Sequence, residues 1–334
     1  MPLSLKKSLL IWLSAALLLS GGALLYPQIR VALMRGIPPG AQPPLTVSRL
    51  QGQPSDLQGA FAVDSVDKYV IKREGKEAFS LLLTHYKDGQ QERRVLLFPK
   101  ETQKAGSLLP KPMELRHTLW QEAAKAISQN TPQDALFLSW WDDGQRIHFL
   151  SGKDAWLKEP SKQTFNSLLW QPLQANMLLA ADSETERLAV MARWLTMDCD
   201  QALAEIKQTF GATRPVYLLV TNDLLFRLAE LADYGGSRLA FAANSFDTHD
   251  NLHGDIARIK QWAQEQGDGN YLVQKEGLRY HVWVPDNGPG NGKNALLVRI
   301  LPFVNSLKKL PDGLKLVYQS HWGGYLAVYQ LSTN

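Results

Sequence analysis

The most chemically distinctive stretch of the sequence is Trp140-Trp141-Asp142-Asp143-Gly144, which directly follows an apolar run. Two indoles and two carboxyls in this spacing could form a catalytic or recognition loop, and tryptophan is a frequent anchor in protein interfaces. We therefore consider Trp140, Trp141, Asp142 and Asp143 candidate partner-binding residues. The alternative is structural: the tryptophans pack in the core with a hydrogen bond from each indole N–H, and the aspartates cap a following helix.

A second candidate is the histidine pair His249 and His253. If Asp247–Arg258 is helical, the two imidazoles lie one turn apart on one face, with Asp250 or Asp255 close by. That spacing can bind zinc or copper, or ligate a haem. No glutamate follows the first histidine and no third ligand is evident. The alternative is that the acidic residues only stabilise the first turn of a helix.

His321 and Trp322 are predicted to lie at the tip of a hairpin, next to Gly323-Gly324. A tight turn explains the glycines, because they tolerate positive φ, but it does not explain the tryptophan. An exposed tryptophan there would serve as an interface anchor. We therefore add His321 and Trp322 to the candidate partner-binding residues.

Several chemistries are excluded by the residues that the sequence lacks. Cys199 is the only cysteine, so no internal disulfide, cysteine-based zinc cage or covalently attached haem is predicted. Its apolar neighbours indicate a buried structural thiol. No Gly-x-Ser-x-Gly elbow is present, which argues against a serine hydrolase. The net charge of +4 is small and the basic residues are scattered among nearly as many acids, so no nucleic-acid partner is expected. A metal cofactor is not expected either, because the histidine pair lacks a third ligand.

The first residues predict a membrane anchor. Leu9–Tyr26 is uncharged, follows Lys6-Lys7, and is near the minimum length for spanning a bilayer. Small residues near its end make a cleaved signal peptide the alternative. Because basic residues favour the cytoplasmic side, we expect a single-pass protein of the inner membrane whose remaining chain lies in the periplasm of a bacterium.

Periodicity predicts a mixed α/β domain with antiparallel hairpins, carried on the single N-terminal transmembrane helix. Short apolar runs separated by glycine turns indicate an antiparallel meander, and apolar strands that alternate with helices indicate a buried sheet. A helix and two further hairpins follow. The predicted segments are 1–30, the anchor; 31–59, a Pro/Gly-rich stalk; 60–131, a β-meander plus helix; 132–240, an α/β core; and 241–334, a helix plus β-hairpins.

The segment "SWWDDGQRIHFLSGKDAWL" resembles the WWDYG region of the catalytic subunit of oligosaccharyltransferase. The similarity covers about Ala135 to Gly235, where helices, an apolar strand and another helix follow in the same order. Asp143 stands where that family has tyrosine. The resemblance implies that Trp140, Trp141 and Asp142 would contact the hydroxyl residue of an acceptor sequon.

Glycan transfer itself is not predicted. It needs a membrane-embedded pocket, a divalent metal and acidic loops between many transmembrane helices, whereas this chain has one hydrophobic segment. The resemblance therefore implies a related domain with a different purpose, because a fold does not determine a function.

The chain as a whole resembles HaoB, the family of accessory proteins encoded beside the multihaem hydroxylamine oxidoreductase in ammonia- and methane-oxidising bacteria. The most specific part is "LHGDIARIKQWAQEQGDGNYLVQ". The resemblance implies a non-catalytic, membrane-anchored periplasmic protein that binds this multihaem cytochrome c and tethers it for hydroxylamine oxidation and electron transfer. The alternatives are a metal- or haem-ligating redox protein using His249 and His253, and a glycosyltransferase-like peptide-binding module.

Overall fold

The computed structural model describes residues 46–51, 57–73, 76–100, 112–166, 170–177, 184–211, 213–276, 278–286, 292–304, 310–320 and 324–332. The predicted anchor Leu9–Tyr26 and the predicted hairpin tip with His321 and Trp322 lie outside these ranges. Among the helices in these ranges, none combines the length and the apolar composition needed to cross a membrane. Leu45–Asn334 form one compact unit.

The N-terminal sheet is the predicted antiparallel meander with one additional strand. Its order is β1-β2-β3-β4, formed by β1 (Thr46–Gln51), β2 (Val63–Arg73), β3 (Lys76–Asp88) and β4 (Gln91–Leu97). β1 lies within the predicted stalk, so that part of the stalk belongs to a sheet. The sequence pattern concealed this short strand because glycine and proline residues flank it on both sides.

The central sheet has the order β11-β12-β7-β5-β6. Its strands are β5 (Leu136–Leu138), β6 (Asp154–Ala155), β7 (Val216–Thr221), β11 (Leu314–Gln319) and β12 (Leu326–Leu331). β5 runs parallel to β6 and β7, whereas β12 is antiparallel to β7 and β11. Every residue of β5 and β7 is buried, which explains why both strands are almost wholly apolar.

Helices pack on this central sheet and on the meander. They are α1 (Pro112–Asn130), α2 (Trp141–Ser151), α3 (Gln174–Met177), α4 (Thr185–Thr196), α5 (Cys199–Phe210), α6 (Leu228–Asp233) and α8 (Leu296–Ile300). Cys199 is buried, as the apolar sequence around it predicts. The apolar run that ends in Trp140-Trp141 forms a strand only over Leu136–Leu138, because Trp141 already begins α2.

A third sheet has the order β8-β10-β9 and is antiparallel, with β8 (Phe241–Asp247), β9 (Leu272–Glu276) and β10 (Arg279–Pro285). The helix α7 (Leu252–Gln266) packs on it through Ile259 and Ala263. The predicted hairpins β9–β10 and β11–β12 are both present, so the mixed α/β fold with antiparallel hairpins is confirmed. The segment boundaries proposed from the sequence stay predictions.

Candidate functional site

The Trp-Trp-Asp-Asp-Gly stretch forms the start of helix α2, just past the C-terminal end of strand β5. β5 and β7 are parallel neighbours, so the chain leaves both strands at the same side of the sheet, at their C-terminal ends. β5 leads into α2, and β7 leads into the 3-10 helix Asn222–Arg227. Ligand sites of open α/β sheets commonly lie outside the C-terminal ends of the strands. In this protein, side chains from the two connections contact each other there and occupy the space that a ligand would need.

The prediction that the aspartates cap the helix is wrong. The N-cap is Trp140, with extended backbone (φ −67, ψ 157) and no side-chain cap hydrogen bond. Asp142 and Asp143 lie in the first turn, and their carboxyls bind arginine side chains instead of the free N–H groups of the helix. A guanidinium can bind a carboxylate through two parallel N–H donors, which a single backbone N–H cannot do.

Trp140 and Trp141 are both 0% exposed. Their indole N–H groups donate to the same carboxylate oxygen of Glu230 in α6, at 3.1 and 3.0 Å. Trp140 also packs edge-to-face on Tyr234, and Trp141 on Trp170. This is the structural alternative considered above, core packing with a hydrogen bond from each indole. Contact of these tryptophans with a partner stays a prediction that would require them to leave the core.

Asp142 and Asp143 are each 2% exposed and are bound by two arginines. The Arg227 guanidinium donates to both oxygens of Asp142 at 2.6 Å, in a bidentate pair. One terminal nitrogen of Arg146 lies 2.8 Å from Asp142 and 2.7 Å from Asp143. The Thr221 hydroxyl is 3.0 Å from the second oxygen of Asp143. Both carboxyls are therefore closed to solvent and fully occupied by protein groups.

The same network ties α2 to the meander and to the C-terminal hairpin. Arg146 Nε donates to the Leu96 carbonyl of β4 at 2.9 Å, and its guanidinium lies 4.6 Å from the centre of the Phe98 ring. Asp223 accepts hydrogen bonds from Arg116 and from the Tyr325 hydroxyl, each at 2.7 Å. We call these groups the WWDD cluster: Asp142, Asp143, Asp223, Glu230, Arg116, Arg146 and Arg227.

Burial and neighbouring charge perturb the acids of the WWDD cluster. Burial, together with the charge of Asp142, raises the pKa of Asp143 to about 7, although Arg146 opposes the shift. Burial also raises the pKa of Glu230. Burial alone would raise the pKa of Asp223, but Arg116 and the Tyr325 hydroxyl outweigh it and the pKa is lowered. Four carboxyls face three guanidinium groups, so one proton, held by Asp143, would bring their charges into balance.

Gly144 has a packing role in the same turn. A Cβ atom at this position would lie 1.9 Å from the Leu157 carbonyl oxygen. The helix therefore approaches the chain that follows β6 more closely than any side chain permits. The glycine of the motif is explained by this approach and not by contact with a ligand.

His249 and His253 do not share a helix face, so the spacing on which their metal-binding prediction depended is wrong. α7 begins at Leu252, because Asn251 caps it by accepting the Gly254 N–H at 3.1 Å. His249 precedes the helix and binds Asp255 through both its backbone N–H and its ring. That backbone N–H is the main reason why the pKa of Asp255 falls to about 2. The described part of the chain contains no group of three or more residues that could hold a metal.

Arg116, Asp223, Arg227 and Glu230 were not predicted from the sequence, because they lie far along the chain from the aspartates that they surround. Arg146 could have been found. It follows Asp142 by four residues and Asp143 by three, the spacing of neighbours on a helix face. Only the start of α2 at Trp141 had to be known.

Comparison with known proteins identifies a family and several similar solved structures. The model of a family described as "HaoA-associated protein HaoB" matches residues 6–331. The crystal structure of the C-terminal domain of PglB from C. jejuni matches with 12% sequence identity and a TM-score of 0.37, covering 64% of this chain and 99% of that chain. No curated protein matches.

Proposed function

The chain belongs to the family of HaoA-associated proteins HaoB, and on that basis we propose that it is a non-catalytic accessory protein of the multihaem hydroxylamine oxidoreductase HaoA. Family membership is the observation that carries the proposal, since the match spans nearly the whole chain. It confirms the family that was predicted from the sequence. The closed WWDD cluster is compatible with a non-catalytic role, because its carboxyls are engaged by arginines rather than open to a substrate.

In this proposal the protein tethers HaoA to the inner membrane. The uncharged run Leu9–Tyr26 would hold the protein in the inner membrane, and Lys6-Lys7 would remain in the cytoplasm. The folded unit Leu45–Asn334 would then lie in the periplasm and bind HaoA. A bound multihaem cytochrome would thereby stay near quinone-linked electron acceptors in the membrane.

The association is tested by purifying the full chain in mild detergent from cells that also produce HaoA. A haem-containing protein should co-purify at constant stoichiometry, detected by haem absorbance and mass spectrometry. An empty-vector purification is the control for haem proteins that bind the resin. Purified full-length protein that retains no haem-containing partner contradicts the accessory role.

The tether is tested separately by fractionation. Residues 1–44 are replaced by a cleavable periplasmic signal sequence, so that export is kept and the anchor is lost. HaoA should sediment with membranes when the full chain is present and should move to the soluble fraction with the shortened chain. An unrelated single-pass anchor fused to residues 45–334 should return it to the membrane. HaoA that co-purifies with the full chain but stays soluble would contradict the tether and leave the association intact.

A further inference from the structure

A cavity of about 370 Å³ lies at the edge of the central sheet, where β6 ends the strand order. It is separate from the WWDD cluster. One side is apolar and includes Ala155, Trp156 and Phe210. Its volume is in the range of sites for small molecules, roughly 300–1,000 Å³. The cavity is open to solvent, and the Arg187 side chain in its lining is 51% exposed.

The polar side of this cavity is rich in cations, namely Arg93, Lys158, Arg187 and Arg214. The carboxyls among the residues that line it are Asp154 and Glu184. Asp154 is shared by two cations, because Lys158 donates to one oxygen at 3.0 Å and Arg214 to the other at 2.9 Å.

The balance of charge stays positive when Glu159, an acid outside the lining, is included. Glu159 pairs with Arg93 at 3.2 Å, so four cations then face three carboxyls. Burial raises the pKa of Glu159 to about 7, so near neutral pH this acid is only partly ionised. Each cation already lies near a carboxyl, with Arg187 3.5 Å from Glu184, but the remaining excess of positive charge in the cavity favours an anion.

Protein groups hold these cations in place. Arg214 also donates to the carbonyls of Asp134 and Ala135, at 2.6 and 3.2 Å. Arg187 donates to the Trp156 carbonyl at 3.1 Å and its guanidinium lies 5.8 Å from the centre of the Trp156 ring. Side chains that are already ordered lose little conformational freedom when a ligand binds.

The apolar side is equally well supported. Trp156 stacks on Trp194 with ring centres 5.3 Å apart, and Phe210 meets Trp156 edge-on at 5.4 Å. Trp156 and Phe210 thus present a packed aromatic wall to the cavity. A ligand that suits both sides has an anionic group and a compact apolar part.

We propose that this cavity binds a small organic anion, a carboxylate or phosphate ester whose apolar part lies against Phe210 and the edge of Trp156. Arg187, Lys158 and Arg214 bind the anionic group. The site is separate from the WWDD cluster and from the anchor, since it uses none of their residues.

Isothermal titration calorimetry on the full chain in detergent, at low salt, tests the proposal. The probes are benzoate and phenyl phosphate, with benzyl alcohol as the neutral analogue of similar shape. At least one anion should bind saturably at one site per chain, with a dissociation constant below about 10 mM, and benzyl alcohol should bind at least about tenfold more weakly. Binding by benzoate alone identifies a carboxylate site, and binding by phenyl phosphate alone identifies a phosphate site.

Substitutions locate the site. Arg187→Gln and Lys158→Gln should each weaken binding about tenfold, whereas Arg279→Gln, an exposed arginine on the β9–β10 hairpin, should leave it unchanged. Fluorine NMR of protein labelled with 5-fluorotryptophan adds a second readout, with Trp156→Phe assigning the resonance. Addition of the anion should shift that resonance. Absence of saturable binding, equal binding of benzyl alcohol, or wild-type affinity in both variants would overturn the proposal.

Discussion

Asp143 shares the Arg146 guanidinium with Asp142 in a part of the core that water does not reach. Two buried carboxyls this close repel each other, and desolvation adds to the cost of ionising both. Asp142 has Arg227 as a bidentate partner, whereas Asp143 accepts from the shared Arg146 and from the Thr221 hydroxyl. Burial and the charge of Asp142 raise the pKa of Asp143.

This raised pKa makes stability depend on pH. The pKa of Asp143 is about 7 in the folded chain against an ordinary value of 3.8, so the folded state keeps a proton that the unfolded chain releases. The contribution of Asp143 to the free energy of unfolding is fully present below about pH 4. It falls as pH rises toward 7 and is constant above that.

Asp143→Asn should remove this dependence. Urea unfolding of residues 45–334 at several pH values between 4 and 8 measures it. The free energy of unfolding of the variant, relative to the wild type, should increase with pH up to about 7. Asp247→Asn, which changes an exposed carboxyl, is the control and should keep the wild-type slope. Parallel curves for Asp143→Asn and the wild type would contradict the raised pKa.

Gly144 allows a second test at the scale of single residues. Gly144→Ala places a methyl group 1.9 Å from the Leu157 carbonyl oxygen, so backbone must move. We expect a loss of about 3 kcal/mol in the free energy of unfolding. Gly292→Ala meets its nearest atom only at 4.0 Å and should change stability by less than about 0.5 kcal/mol. Equal effects in the two variants would show that the close approach is not the reason for the glycine.

At the scale of elements, α2 is held from two sides. Gln145 and Arg146 bind the backbone of Leu96 in β4, through its N–H and its carbonyl. On the other side, Arg227 and Glu230 bind the first turn of α2 from the 3-10 helix and α6. A buried ion pair contributes little net stability compared with apolar packing, but breaking one leaves an uncompensated charge.

Two arginine–carboxylate pairs of this protein have the same bidentate geometry but differ in burial, so comparing them isolates the effect of burial on stability. Arg227 binds Asp142 in the core, whereas Arg193 binds both oxygens of Glu205 at the surface, where the arginine is 47% exposed. Arg227→Ala should cost about 3–5 kcal/mol, because Asp142 stays buried without its main partner. Arg193→Ala should cost less than about 1 kcal/mol, because water solvates Glu205. Denaturant midpoints measure both, and similar losses would contradict the role of burial.

At the scale of the whole molecule, the central sheet includes strands from the C-terminal part of the chain. β12 pairs with β7 and β11, so residues from the C-terminal part complete a sheet begun at β5. Tyr325, directly before this strand, also donates a hydrogen bond to Asp223 of the WWDD cluster. Folding of the centre therefore depends on sequence-distant contacts.

Truncations test this dependence. A chain that ends before residue 313 lacks β11 and β12, leaves one edge of β7 unpaired, and should not show a cooperative unfolding transition. Removal of residues 1–44 should leave the transition of the unit Leu45–Asn334 unchanged. Near-UV circular dichroism and urea titration distinguish the outcomes. A cooperative transition in the chain truncated at the C-terminus would contradict the central place of β12.

Sequence patterns over a few neighbouring residues were sufficient to predict much of the fold. The meander, the hairpins β9–β10 and β11–β12, and the helix α1 follow from alternation, helical periodicity and turn residues, all of which act over a few neighbours. The start of α7 was misplaced because the choice between Asp247 and Asn251 as the beginning of the helix depends on one cap, and several polar residues there could serve. β1 was missed for a similar local reason.

The role of the Trp-Trp-Asp-Asp-Gly stretch could not be decided locally. Its composition suits a recognition loop as well as a buried turn, and its family resemblance did not choose between them. What decides is the parallel pairing of β5 with β7, which brings Arg227 and Glu230 to residues more than eighty positions earlier. A carboxyl binds whichever cation the fold places beside it, and that placement is a property of the sheet. Composition and motif therefore established the family and the kinds of element, whereas tertiary structure alone turned a candidate site into a closed charge cluster.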